Sequence, residues 1–123
     1  EITSTYPAGV IGTTAENLKA AAAGENEEWT ELYPMFADIA EKEGFKEIAT
    51  MYRMIAKAEA MHEERYLKLL QRVKDETVFS RDGEIEWQCR NCGYVHKGKN
   101  APQTCPACLH PQAYFEPKCD KYY

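Results

Sequence analysis

Between Thr13 and Lys74, apolar residues recur at alternating steps of three and four, the spacing of one helix face. In the second half of this stretch the stripe reads Phe45, Ile48, Tyr52, Ile55, Glu59, His62, Tyr66, Leu69 and Val73. In the first half it reads Leu18, Ala21, Glu25, Glu28, Leu32, Met35 and Ile39. Thr13-x-x-Glu16 has the form of a capping box, in which each side chain satisfies a backbone N–H at a helix start. Gly44 can take the left-handed conformation that ends helices, so the pattern predicts one helix from Thr13 to Glu43 and a second from Phe45 to Lys74. Each is about 30 residues and roughly 45 Å long. Pro34 removes a backbone donor inside the first and predicts a kink. So short a connection predicts an antiparallel hairpin. Two helices cannot cover their shared apolar face, and a second pair is needed to complete a four-helix bundle.

From Val78 the pattern changes. VFSRDGEIEWQ predicts two short strands about an Asp82-Gly83 turn, with Ile85 and Trp87 on one face. Two Cys-x-x-Cys knuckles follow, Cys89/Cys92 and Cys105/Cys108, separated by twelve residues. Before the helices, residues 1–12 carry Pro7, Gly9 and Gly12 and read as an extended lead-in. The expected organisation is therefore a lead-in over 1–12, a helical hairpin over 13–77 and a small cysteine module over 78–123. The fold class is α with a small β part.

The stripes carry the candidate chemistry. Glu25, Glu28, Glu59 and His62 stand where apolar residues belong, and neither stripe contains a Lys or Arg. Burying three carboxylates and an imidazole without partners costs several kcal/mol each by rough reckoning, so a cation between the helices is the economical resolution. Carboxylate and imidazole suit iron, manganese or zinc. An isolated Glu-x-x-His is an ordinary feature of a solvated helix; here both polar pairs coincide with both apolar stripes. Glutamates on facing helices plus Glu-x-x-His are how ferritin-like bundles hold two metal ions. Glu27, Glu31, Glu41, Glu47, Glu63 and Glu64 fall off the stripes and read as solvated, and Tyr52 and Tyr66 read as core aromatics.

The four knuckle cysteines read as a tetrahedral metal site, and spacing alone leaves zinc and iron both open. Trp87, Tyr94, Tyr114 and Phe115 are the expected apolar cover. His96 and His110 read as surface residues and Cys119 as a bystander, since four thiolates complete the coordination.

Composition narrows the classes. A net charge of −5 over 123 residues argues against nucleic acid, which requires a clustered positive surface. No apolar run is long enough to span a bilayer. Cys-x-x-Cys pairs and an unpaired thiol fit a reducing compartment, so a cytoplasmic location is expected. The chain lacks an initiator Met and opens in a loop-like segment, which points to part of a longer polypeptide.

TAENLKAAAAGENEEWTELYP, EKEGFKEIA, KAEAMHEERY and the run from CRNCGYVHKGK to CPACLHPQAYFE together resemble the rubrerythrins, and the resemblance covers nearly the whole chain. It implies half of a ferritin-like di-iron bundle followed by a rubredoxin-like domain. By position it makes Glu25, Glu28, Glu59 and His62 di-iron ligands and places Tyr33 beside the iron. Cys89, Cys92, Cys105 and Cys108 become ligands of a single iron, with zinc as a substitute. Leu109 and His110 occupy a position where free-standing rubredoxins favour Gly. The implied activity is that of a peroxidase: hydrogen peroxide is reduced to water at the di-iron pair. Electrons arrive through the cysteine iron from an external donor such as a rubredoxin or an NAD(P)H-dependent reductase. The chain departs from the family in lacking an earlier helix pair with a further Glu and Glu-x-x-His. That pair is expected from an N-terminal segment or another chain, within a homo-oligomer such as a dimer; a symmetric dimer of hairpins would crowd six glutamates around two metals. The competing readings are a ferroxidase or iron-handling protein, and a zinc-ribbon interaction module without catalysis.

Overall fold

The computed structural model describes residues 1, 3–6 and 9–120; Pro7, in the expected lead-in, lies outside them. The chain divides into two compact units, Glu1–Lys74 and Asp75–Tyr123.

In the first unit, α1 spans Thr14–Glu27 and starts on the capping box: Thr13 N–H donates to Glu16 Oε2 at 2.8 Å, and Glu16 N–H to Thr13 Oγ1 at 3.3 Å. The path continues through a π-helical turn, Glu28–Leu32, into α2, Tyr33–Lys42. The disturbance expected at Pro34 takes the form of this π turn. Pro34 offers no N–H to the carbonyl four residues earlier, and its ring crowds that carbonyl. The wider turn relieves this, with Tyr33 N–H donating to Glu28 five residues back.

The extra residue in that turn also rotates everything after it. Met35 and Ile39, expected on the apolar seam, are 47% and 46% exposed, while Ala37 and Ala40 are buried and Tyr33 and Phe36 half-buried. The inward face has moved on by about one position. Gly44, at φ +90°, then closes α2 with a Schellman pair: Phe45 N–H donates to the Ala40 carbonyl at 2.8 Å, and Gly44 N–H to Glu41 at 3.1 Å.

Helix α3, Lys46–Lys74, returns antiparallel. Ala37, Ala40 and Ala49 form the buried contact, with Tyr52 against them. Small side chains let the helices approach closely, and Tyr33, Phe36 and Tyr52 fill the adjoining space with ring centroids 5.6 to 6.2 Å apart. Arg53 ties the helices outside, reaching Glu41 at 2.5 Å and Asp38 at 3.3 Å. Glu41 is thus paired across the hairpin rather than merely solvated. Phe45, Ile48, Met51, Met54, Met61 and Leu69 remain exposed, so the hairpin leaves much apolar surface uncovered.

The second unit is a three-stranded antiparallel sheet in the order β2-β1-β3, with β1 Ser80–Cys89, β2 Val95–Asn100 and β3 Phe115–Pro117. The expected turn at Asp82-Gly83 is absent. Gly83 is not among the residues with positive φ, which a two-residue hairpin turn demands. The segment is instead a bulge within β1: Ser80 faces Asn100, and Ile85 already faces Gly98. Beyond the bulge Trp87 pairs with His96, and Cys89 with Phe115. Trp87, Cys89, Ala101, Cys105 and Phe115 form the core, with Phe79, Ile85, Tyr94 and Cys108 against it. Trp87 donates its indole N–H to the Gly98 carbonyl at 3.0 Å, and the Arg81 guanidinium lies 5.2 Å from its ring centroid. Tyr114, expected in the cover, is 38% exposed and meets the His110 ring edge-on at 4.4 Å.

Candidate metal centres

The two cysteine knuckles have the same backbone. Gly93 N–H donates to the Cys89 carbonyl and Cys89 N–H to Tyr94; Leu109 N–H donates to the Cys105 carbonyl and Cys105 N–H to His110. Both need a left-handed residue after the second cysteine, supplied by Gly93 at φ +80° and Leu109 at φ +62°. The loops bring all four sulfurs within 4.8 Å of one another, with Cys89 to Cys108 at 3.7 Å and Cys92 to Cys105 at 3.6 Å. A tetrahedron with metal–sulfur bonds near 2.3 Å has edges of about 3.8 Å, so the spacing fits a four-thiolate ion and is far too long for disulfides. Cys89 and Cys105 are buried, Cys108 is half-buried and Cys92 exposed.

Backbone hydrogen bonds prepare the thiolates. The one associated with His110 is the main influence holding Cys108 down to about 6. The matching bond associated with Tyr94 also favours the Cys92 thiolate, but local desolvation and the three neighbouring thiols together outweigh it and push Cys92 up to about 12. Four adjacent thiolates therefore require a cation. His96 and His110 are not among the clustered ligands, nor is Cys119, whose thiol is free and exposed.

On the hairpin, Glu25 from α1 and Glu59 and His62 from α3 bring ligand atoms within 4.8 Å of one another. His62 Nδ1 lies 2.6 Å from Glu59 Oε2 and 3.6 Å from Glu25 Oε2. Glu25 Oε2 is buried without a hydrogen-bond partner, an orphaned anionic oxygen. Desolvation, then hydrogen bonding and repulsion from Glu59, raise the Glu25 carboxyl above its ordinary range; Glu28 adds to this and His62 opposes it. Two carboxylates, one with an unsatisfied oxygen, and an imidazole fit a divalent cation. The cluster opens on a groove of about 520 Å³ lined by Glu25, His62, Arg65, Tyr66 and Leu69, and His62 is 54% exposed.

Glu28 lies outside the group of three, although its charge reaches both Glu25 and Tyr33. The Tyr33 phenol is raised above its ordinary value, by burial first and then by Glu59, Glu28, Tyr52 and Glu25. Glu63 is half-buried rather than solvated. Its Oε2 accepts the Trp29 indole N–H at 2.6 Å, and Asn26 Nδ2 donates to both carboxylate oxygens at 3.1 Å. Periodicity along one helix could not reveal these partners, which lie on the other.

The family profile described as Rubrerythrin matches residues 1–70, and that described as Rubrerythrin, rubredoxin-like domain matches residues 87–116. The chain is 68% identical to a rubrerythrin of Porphyromonas gingivalis over 122 residues, covering 99% of this chain and 61% of the relative. It is 53% identical to a rubrerythrin of Nitratidesulfovibrio vulgaris over 94% of this chain and 61% of that one. A solved structure of nigerythrin in a partially reduced state matches with a TM-score of 0.51 and 29% identity, over 96% of this chain and 55% of that chain. The chain thus spans about three-fifths of the length of these rubrerythrin relatives.

Proposed function

Because this chain belongs to the rubrerythrin family, we propose that it contributes half of a di-iron site that reduces hydrogen peroxide to water, together with the cysteine iron that feeds it. The observation carrying this reading is the orphaned Glu25 oxygen facing Glu59 and His62, on a chain that also holds a four-thiolate cluster. Glu25, Glu59 and His62 would hold iron in the hairpin, and Cys89, Cys92, Cys105 and Cys108 would hold the single iron. When bound, a ferrous pair would supply two electrons, which with two protons convert one peroxide into two waters. A thiolate-bound iron would supply one electron at a time, with little change in its ligand cage.

The chain's own groups then have distinct tasks. Glu25 and Glu59 bring carboxylates to the helix interface, and a bound cation would displace to solvent the proton that the raised Glu25 carboxyl tends to hold. His62 contributes a neutral nitrogen. Glu28, just outside, is a further carboxylate available as the charge between the helices changes. Tyr33 keeps its phenolic proton at Oη beside three carboxylates, because burial and their charge disfavour the phenolate. The aromatic group of Tyr33, Phe36 and Tyr52 walls one end of the interface against water.

The hairpin offers two carboxylates and one imidazole, half the four glutamates and two histidines of a ferritin-like di-metal site. A second helix pair, from an N-terminal segment or another chain, supplies an equal set and covers the exposed apolar surface. An external reductase or rubredoxin delivers electrons to the cysteine centre, and the free thiols fit a reducing cytoplasm.

The test is anaerobic reduction followed by a small excess of hydrogen peroxide, watching the visible band of thiolate-bound ferric iron. Rapid return of colour with peroxide consumed is expected once the bundle is complete. A colourless protein would place zinc at the cysteines and refute the relay; colour that returns sluggishly in the complete bundle would refute the peroxidase.

A further inference from the structure

Asn26, Trp29 and Glu63 each follow a candidate ligand by one residue: Asn26 follows Glu25, Trp29 follows Glu28, and Glu63 follows His62. One residue along a helix is a turn of about 100° and a rise of about 1.5 Å, so these three lie on the stripes beside the ligand stripes. They are joined to one another across the hairpin. The Glu63 carboxylate takes the Trp29 indole N–H at 2.6 Å and the Asn26 amide at 3.1 Å on each oxygen. We infer that Glu63 is a positioning residue for the metal site of the hairpin, locking α1 and the π turn against α3 so that Glu25 meets Glu59 and His62.

This inference rests on the metal-site reading above. Three observations carry it. The Glu63 carboxylate bonds α1, through Asn26, and the π turn, through Trp29, to α3 at a single point. Trp29 sits inside the π turn, where the regular backbone ladder is broken, so its indole bond fixes the segment that carries Glu28. Hydrogen bonds to a charged acceptor are stronger and shorter than neutral ones, and the 2.6 Å contact is short. Partners bonded directly to a metal's ligands are worth about 10- to 100-fold in affinity; Glu63 acts one step further out, through the neighbours of the ligands, so the lower end of that range is expected.

The test titrates the metal-free chain with cobalt(II). The thiolate site gives intense sulfur-to-metal charge-transfer bands and the carboxylate–imidazole site does not, so the two are counted separately and the thiolate site reports an intact chain. Glu63→Leu should weaken cobalt binding at the hairpin by about tenfold or more, with the thiolate site unchanged. Glu63→Gln, which keeps an acceptor for Trp29, should stay within about threefold of the wild type, and Trp29→Phe should fall between the two. Equal cobalt affinity in Glu63→Leu and wild type, even with a lower melting temperature, would make this an ordinary structural bond and overturn the inference. If the wild-type chain takes cobalt only at the thiolates, the metal-site reading fails separately, and the clamp is judged in the metal-free protein by nitrogen NMR. There, His62 ring signals should move in Glu63→Leu and hold in Glu63→Gln; unmoved signals in Glu63→Leu would overturn the inference.

Discussion

Glu25 sets stability against binding. Its carboxyl is raised, so the folded metal-free chain holds the proton more tightly than the unfolded chain does. That favourable contribution is present below the unfolded carboxyl pKa and is lost as pH rises through the higher folded value. At neutral pH the orphaned charge is therefore a burden until a cation arrives. Glu25→Gln should stabilise the metal-free hairpin by about 1 kcal/mol at neutral pH, with the difference vanishing below about pH 4. Urea unfolding followed by helical circular dichroism measures this, and the same variant should bind less divalent metal at the hairpin. Leu109 holds a conflict of another kind. It is 77% exposed and left-handed at φ +62°, so it bears the backbone cost of the knuckle while packing little. The cost is about 1–2 kcal/mol, partly offset by the freedom a glycine gains when unfolded. Leu109→Gly should thus stabilise the metal-loaded cysteine unit by about 0.5–1 kcal/mol, read as a higher denaturant midpoint for loss of the metal.

At the scale of elements, the π turn sets the phase of the hairpin. Its extra residue allows α1 to aim Glu25 at α3 while α2 aims Phe36, Ala37 and Ala40 at the same helix. Deleting Thr30 should restore an ordinary helix and leave α1 and α2 about 100° out of register. Either the aromatic–alanine packing or the ligand group must then be lost. The expected cost is about 2–5 kcal/mol, comparable to emptying a core site, together with loss of metal binding at the hairpin. Chemical denaturation and metal titration would read the two separately. This turn also marks where sequence reading runs out. The capping box and Gly44 are legible in local spacing, and the meeting of Glu25, Glu59 and His62 is legible because these residues interrupt two apolar stripes that must face each other. Pro34 signals a disturbance but not its form, so the regular spacing puts Met35 and Ile39 on the inward face, one position from Phe36 and Ala40, which occupy it. Asp82-Gly83 has the composition of a hairpin turn, yet β2 pairs on both sides of it and makes it a bulge. Glu63 falls off the apolar stripe, so periodicity gives no reason to look for Asn26 and Trp29 across the hairpin.

The molecule as a whole contains two units with different sources of stability. In the cysteine unit two of the five core residues, Cys89 and Cys105, are themselves candidate ligands, so core and metal site are one object. Chelation should unfold this unit, exposing the Trp87 indole and its bond to Gly98 to solvent exchange, while the helical circular dichroism persists. Full loss of the helical signal on chelation would contradict that division. The hairpin, by contrast, holds itself by alanine contacts and the Arg53 and Glu63 ties, and leaves apolar residues outward. Its Schellman-closed connection has a further consequence, in time rather than in structure. So few residues join α2 to α3 that closing the loop costs little entropy, and local contacts of this kind form quickly, on the order of microseconds to milliseconds. Phe45, Ile48 and the neighbouring methionines are then displayed to solvent before anything covers them. Collisions between such faces on different chains are second order in concentration, so the yield of refolding should fall as the protein is concentrated and recover on dilution.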